Sequence, residues 1–302
     1  MIAARVAAGA FSAALLAVPS CDRTRPAGPF RAPTEIAFQS ARTGSLDVFV
    51  MNPDGSDAFN VTHSPVDETS PSLSPDGRWI AFASDRRGYL AGEIEVVRID
   101  GRGRRLLTEN GSDDGSPAWS ADGRRIAFVS SRTGNDDVFV MDADGSNPLN
   151  LTHAPSEETN PAWSADGRRI AFVSDRAGGS NEIYVMDADG SHVRRLTRNE
   201  VNDASPAWSP DGARIAFARE LGGIDALFVM NADGTDAVRL TDTLENEEDP
   251  AWSPDGSRIA FARGHGGNAE IWTIGANGRG QQLLTTIQTG ECCVSWGPLR
   301  PK

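Results

Sequence analysis

The apolar residues of this chain fall in short runs separated by turn-forming residues, and the runs repeat. The run Ile-Ala-Phe starts at Ile36, Ile80, Ile126, Ile170, Ile215 and Ile259, with spacings of 44, 46, 44, 45 and 44 residues. One copy resolves into four strand-like runs, at 161–164, 169–174, 182–186 and 194–197. In the second run Ile170, Phe172 and Ser174 alternate with Ala171 and Val173, so both faces carry apolar residues. A sheet packed between two others requires that pattern. A unit of this length cannot bury its own apolar surface and must stack on its neighbours.

The two ends of the array are incomplete in complementary ways. The segment that ends in Trp precedes each Ile-Ala-Phe and falls at Leu73, Trp119, Trp163, Trp208, Trp252 and Trp296. Ile36 has no such segment before it, and Trp296 has no Ile-Ala-Phe after it. A closed ring leaves such half-repeats at its seam. Asp-Gly or Asn-Gly pairs begin at Asp54, Asp76, Asp100, Asp122, Asp144, Asp166, Asp189, Asp211, Asp233, Asp255 and Asn277, eleven in all. They tolerate the positive φ angles of tight hairpins. Two hairpins in each of six blades need twelve, and closure removes one. The pattern therefore predicts an all-β fold: a six-bladed β-propeller of four-stranded antiparallel blades over 34–297, with a tail at 298–302. Residues 294–297 supply the first strand of the N-terminal blade as a clasp, leaving few exposed sheet edges. The Trp series belongs to inter-blade packing in this reading.

Composition narrows the function classes. At 302 residues and 39 % hydrophobic content the chain builds a large core, divided into inter-blade layers. A formal charge of −13 argues against nucleic acid as a partner, since phosphate neutralisation needs a basic face. The only lysine is Lys302, against 28 arginines, so lysine-based Schiff-base or P-loop chemistry is absent from the fold.

Residues 1–20 read as a signal peptide: Arg5 supplies charge, and the stretch 6–18 is apolar or small apart from Ser12. That stretch is too short to span a membrane convincingly. Val18-Pro19-Ser20-Cys21 resembles a bacterial lipoprotein cleavage box, which makes Cys21 the lipidated first residue; ordinary secretion is the alternative. Residues 21–33, rich in Pro and Arg, read as a tether. Contact with a membrane is expected only through the lipid, and the protein is expected to be an exported monomer, periplasmic or associated with the outer membrane. Cys292 and Cys293 are adjacent beside the clasp. They form either a strained vicinal disulfide or two buried thiols packed as small apolar residues. No His or further Cys lies near them in sequence to suggest a metal motif.

Ser-Pro-Asp-Gly-x-x-Ile-Ala-Phe, then Ile-Tyr-Val-Met-Asp-x-Asp-Gly and Arg-Leu-Thr, resembles the propeller repeat of TolB-like proteins. The fullest copies span 163–197 and 208–241, and the likeness covers 34–297. In that family the propeller docks a peptidoglycan-associated lipoprotein, so the resemblance implies an envelope protein or peptide partner. The family's separate N-terminal α/β domain is not expected here, with only 12 residues between Cys21 and Thr34. The same repeats form lid propellers in prolyl-oligopeptidase-like peptidases, but no hydrolase domain is expected here.

Catalytic motifs are scarce. No Gly-x-Ser-x-Gly elbow occurs. The four histidines are His63, His153, His192 and His265, with His63 and His153 at equivalent loop positions, either polar loop residues or ligands. The Asp-Ala-Asp-Gly stretches at 142–145 and 187–190 lack the spacing and distal Glu of an EF-hand and sit where hairpins must turn. The recurrent chemical feature is a carboxylate five residues before each Trp position: Glu68, Asp114, Glu158, Asp203, Glu247 and Glu291. If these residues enter innermost strands, they ring one channel mouth, where they attract a basic ligand or hold a hydrated cation such as Ca2+. Alternatively they pair with Arg42, Arg86, Arg132, Arg176, Arg219 and Arg263 and lace each blade. With Asp166-Gly167 as a two-residue turn, Glu158 falls opposite Asp175. The expected function is a non-enzymatic binding scaffold without a cofactor, working through the loops before each inner strand. A periplasmic lyase or hydrolase acting on glycans or peptides is the alternative.

Overall fold

The computed structural model describes residues 35–85, 92–264, 268–286 and 290–297. The segments read as signal peptide, tether and tail, with Cys21, lie outside the described residues, as do Arg86 and His265. The described chain is all β: six four-stranded antiparallel sheets arranged as a ring of blades. Blade 1 is built from Cys292–Trp296, Ile36–Ser40, Asp47–Met51 and Phe59–Asn60, in that spatial order. Blades 2 to 6 open on the inner strands Glu68–Leu73, Asp114–Trp119, Glu158–Trp163, Asp203–Trp208 and Glu247–Trp252.

The predicted clasp is present. Ile36 pairs with Trp296 and Ala37 with Ser295, and the Gly297 N–H donates to Glu35 O at 2.8 Å. The inner strands touch one another around the axis, and the clasp strand contacts those of blades 2 and 6.

Burial explains the both-faces apolar pattern. Six apolar clusters fill the six gaps between neighbouring blades. The Phe of each Ile-Ala-Phe is fully buried in these layers: Phe38, Phe82, Phe128, Phe172, Phe217 and Phe261. Trp163, from blade 4, packs on Ala127, Val138, Val140 and Leu151 of blade 3. Arginines of the preceding blade cover three of the indoles, with Arg125, Arg169 and Arg214 stacked on Trp163, Trp208 and Trp252 at 4.6–4.7 Å. The seam layer joins Ala260, Ile271 and Leu284 to Ile36, Phe38 and the partly buried Trp296.

The Ser-x-Asp-Gly phrase is the turn between the first two strands. In blade 4 the Ser164 hydroxyl donates to Asp166 Oδ1 (2.6 Å) and accepts from the Arg169 N–H (2.9 Å). The Arg168 N–H completes the ring on Asp166 (3.1 Å). The Ser164 hydroxyl, then the Arg168 amide, hold the Asp166 carboxyl below its ordinary range. The hairpin between the third and fourth strands does a different job. Its glycine lies against the preceding blade: a Cβ on Gly190 would stand 2.8 Å from Leu151 O, and one on Gly145 2.7 Å from Leu107 O. Gly190 has φ +86°, whereas Gly167 has φ +68° and open space around its Cβ position. Gly190→Ala should therefore cost about 2 kcal/mol or more, combining left-handed strain with a clash, and Gly167→Ala about 1–2 kcal/mol from strain alone. Urea melts of the two variants check this; equal losses would show that the hairpin does not lock the blades.

One expectation about register is corrected. Glu158 lies opposite Ser174, not Asp175, although Trp163 does face Ile170 as the two-residue turn requires. A bulge between Thr159 and Ala162 absorbs one residue. It recurs in every blade.

Candidate functional site

The bulge decides which side chains reach the axis. A regular strand directs its side chains onto the two faces of its sheet, and in a radial blade those faces are the inter-blade layers. At the bulge one residue adopts a left-handed backbone: Ser70, Ser116, Asn160, Ser205, Asp249 and Cys293, with φ between +47° and +56°. Pro71, Pro117, Pro161, Pro206 and Pro250 follow them, with Val294 in the seam blade. These twelve residues line a narrow section of the channel of about 150 Å³. Beyond the prolines the channel widens to about 550 Å³, lined mainly by Ala, Pro and the Trp series from Trp119 to Trp296. Asp249 is the one charged side chain of this lining among the described residues.

The six recurrent carboxylates are placed elsewhere, and the expectation that they ring the mouth is corrected on this point. Glu68, Asp114, Glu158, Asp203, Glu247 and Glu291 are all fully buried, and none lines the channel. Each meets an arginine. Arg132 reaches Asp114 at 3.0 Å, Arg176 reaches Glu158 at 3.2 Å, Arg219 reaches Asp203 at 2.7 Å and Arg263 reaches Glu247 at 2.7 Å. Arg42 pairs with Glu291 across the seam. In blade 2 the described partner of Glu68 is Arg104, from the outer hairpin, at 2.6 Å. Each guanidinium also lies over the buried Phe of its blade, at 5.2–5.3 Å from the ring centroid. The lacing alternative describes this geometry, with the difference that the pairs are buried on the acid side. Burial pushes the Glu68 carboxyl up, against the opposing pull of Thr62 and Arg104.

The loops on the same face carry a second, exposed set of acids. Asp67, Asp113 and Glu157, each preceding a buried carboxylate, accept backbone N–H groups of the neighbouring blade at Leu46, Gly92 and Asp136 (2.8–2.9 Å). These bonds staple adjacent blades. Burial, then the charges of Glu157 and Asp113, raise Asp136. Between blades 5 and 6, burial and then Glu220 raise Asp225. Burial, then Asp249 and Asp225, push Glu248 up to about 7. The exposed Glu248 and half-buried Asp225 and Asp249 thus crowd one sector of the rim. Sequence reasoning reached Glu248 only as part of the loop before its inner strand, where Thr69, Gly115, Thr159 and Ala204 stand in other blades, and it missed Asp225.

The remaining candidates are quickly placed. His63 and His153 are exposed in equivalent loops, their N–H groups held by Asn60 and Asn150. In the 142–145 stretch Asp144 Oδ1 accepts from the Ser146 N–H and hydroxyl at 3.0 and 2.6 Å, as a turn residue does. Cys292 and Cys293 are free thiols with their sulfurs 3.4 Å apart.

Comparison with known proteins follows the geometry. The chain superimposes on the crystal structure of TolB from Acinetobacter baumannii with a TM-score of 0.76 and 26% identity, covering 87% of this chain and 66% of that one. It is also similar in fold to a putative TolB from Agrobacterium tumefaciens (TM-score 0.70, 21% identity, 86% and 90% covered). The Kuenenia stuttgartiensis hydrazine synthase shares the fold as well (TM-score 0.75, 16% identity, 90% and 47% covered). No curated protein matches the chain. The TolB beta propeller domain profile matches residues 90–300, more than half of the 302. The six-bladed ring described above is therefore that of a member of the TolB beta propeller domain family.

Proposed function

We propose that the protein is a non-enzymatic binding scaffold of the cell envelope, exported and tethered through Cys21, that docks a protein or peptide partner through a basic segment. The docking face is the one on which the inner strands begin. The observation that carries the reading is the acidic rim of that face. Among the described residues, six arginines of this face are committed to the buried carboxylates, and like charges meet on the rim, Asp113 and Glu157 against Asp136, and Asp225 and Asp249 against Glu248. A cationic side chain relieves that repulsion and steers association. The resemblance to TolB propellers supports an envelope partner for this face. What supports docking over a lyase or hydrolase is the channel lining, in which the described residues supply no His, Arg or Tyr.

Ionised Glu248 is the form that attracts a basic partner, and its carboxyl titrates at about 7. Affinity for a synthetic oligo-arginine peptide, measured by calorimetry, should therefore rise between pH 6 and pH 8. The variant Asp225→Asn/Glu248→Gln should lose about tenfold in affinity and flatten the pH profile, since one close charge pair is worth ~1 kcal/mol or more. Unchanged binding by that variant, or affinity that does not fall with added salt, overturns the rim as the docking site.

A further inference from the structure

The seam brings three metal-binding donors together beside the channel. Asp249 is the bulge residue of blade 6, and Cys293 is its counterpart in the clasp strand of blade 1. The side-chain donor atoms of Asp249, Cys292 and Cys293 all lie within 4.8 Å of one another. Hydrogen bonds fix each part. The Cys293 N–H donates to Asp249 Oδ2 at 3.1 Å, and the Ser205 hydroxyl holds Asp249 Oδ1 at 2.8 Å. Gln39 Nε2 donates to Cys292 Sγ at 3.0 Å, while Gln39 Oε1 accepts the Ser70 N–H at 3.0 Å. The Gln39 amide is thereby oriented as a donor to the sulfur.

We propose that Asp249, Cys292 and Cys293 form a binding site for a thiophilic divalent cation of the Zn2+ class, with its fourth position open to the channel. Zinc–sulfur and zinc–oxygen bonds of about 2.3 and 2.1 Å put tetrahedral donors roughly 3.6–3.8 Å apart. The sulfurs already stand 3.4 Å apart, so closing the set on an ion takes side-chain movements of about 1 Å. A hard cation such as Ca2+ takes six to eight oxygens, and this point of the wall offers one carboxylate. Two thiolates with a carboxylate instead match borderline and soft ions. Asp249 and Cys293 both line the narrow section, so a water or a donor from a bound partner can complete the coordination. The hydrogen bond to Cys292, burial and the Asp249 charge push the Cys293 thiol up. A thiol that ligates a metal gives up its proton, so apparent affinity rises with pH.

The test uses the full chain, reduced with a phosphine, and Zn2+ itself in competition with a chromogenic chelator. One equivalent of Zn2+ should be retained at neutral pH, more tightly as pH rises. Cys292→Ser/Cys293→Ser should lower the affinity at least a hundredfold and Asp249→Asn at least tenfold, with His192→Ala unchanged. Retention of the equivalent by the double serine variant overturns the site, as does a loss below threefold for Asp249→Asn. Should the serine variant fail to fold, Cd2+ titration of the unaltered chain decides. Thiolate-to-cadmium absorption that saturates at one equivalent supports the site, and its absence overturns it. Thiols that remain oxidised after reduction under native conditions overturn it as well.

Discussion

Ending the chain at Thr286 should abolish the cooperative unfolding transition or lower its midpoint by more than about 10 °C. The deletion removes the inner strand of blade 1, and with it the ladder from Ile36 to Gln39 and the Glu291 partner of Arg42. It also uncovers one face of the seam layer, where Cys292, Val294 and Trp296 pack on buried residues of blades 1 and 6. Losing a large aromatic from a packed layer costs about 3–5 kcal/mol. Leaving Arg42 without its carboxylate costs a comparable amount. For a domain of this size each kcal/mol moves the midpoint by about 2–4 °C, and the two losses together approach the whole stability of an ordinary domain. A free strand edge would also appear at Ile36–Ser40, so aggregation should accompany the loss. Differential scanning calorimetry against the full chain reads both effects, and a superimposable melt would refute closure by the clasp.

Glu247→Ala should destabilise the protein by about 3–5 kcal/mol, the largest effect of any single substitution among the six acid–arginine pairs. Glu247 is fully buried and Arg263 is only 7% exposed, against 15–23% for the partners of the other five pairs. Arg263 gives two hydrogen bonds to Glu247 Oε1 (2.7 and 3.0 Å) and one to Gln281 (2.7 Å), and it lies 4.3 Å from the Trp272 ring centroid. Removing the carboxylate strands a guanidinium that cannot discharge by losing its proton. The same substitution in an Arg263→Ala background should cost much less, with a coupling above about 1 kcal/mol in a double-mutant cycle. A Glu247→Ala melt within about 0.5 kcal/mol of the parent would show the pair to be dispensable.

The ring was legible because its signals are periodic and local. Trp, Ile-Ala-Phe and Asp-Gly recur at nearly fixed intervals, and the mismatched ends at Ile36 and Trp296 locate the seam. The direction of side chains was less legible. Glu158 and Asn160 are two residues apart, which a regular strand would place on one face. The left-handed turn at Asn160 breaks that parity, sending the acid into the blade and Asn160 to the axis. The only trace of it in the sequence is a Ser, Asn or Asp before Pro in five copies. The pairing of Arg104 with Glu68 was hidden for another reason. Arg104 arrives from the outer hairpin, and repeat alignment compares equivalent positions only. The Asp249–Cys292–Cys293 cluster joins residues more than forty positions apart, brought together by ring closure.

The six bulges also separate what the ring is made of from what it can recognise. Ser70, Ser116, Asn160, Ser205, Asp249 and Cys293 stand outside the six apolar layers that hold the blades together. Each is carried by its own copy of the repeat, on a backbone that the copy's neighbours fix. Hydroxyl, amide, carboxylate and thiol already occupy equivalent seats around one axis. Duplicated blades can thus diverge one seat at a time, and the axis becomes a combinatorial surface whose chemistry is rewritten by single substitutions while the scaffold stays the same.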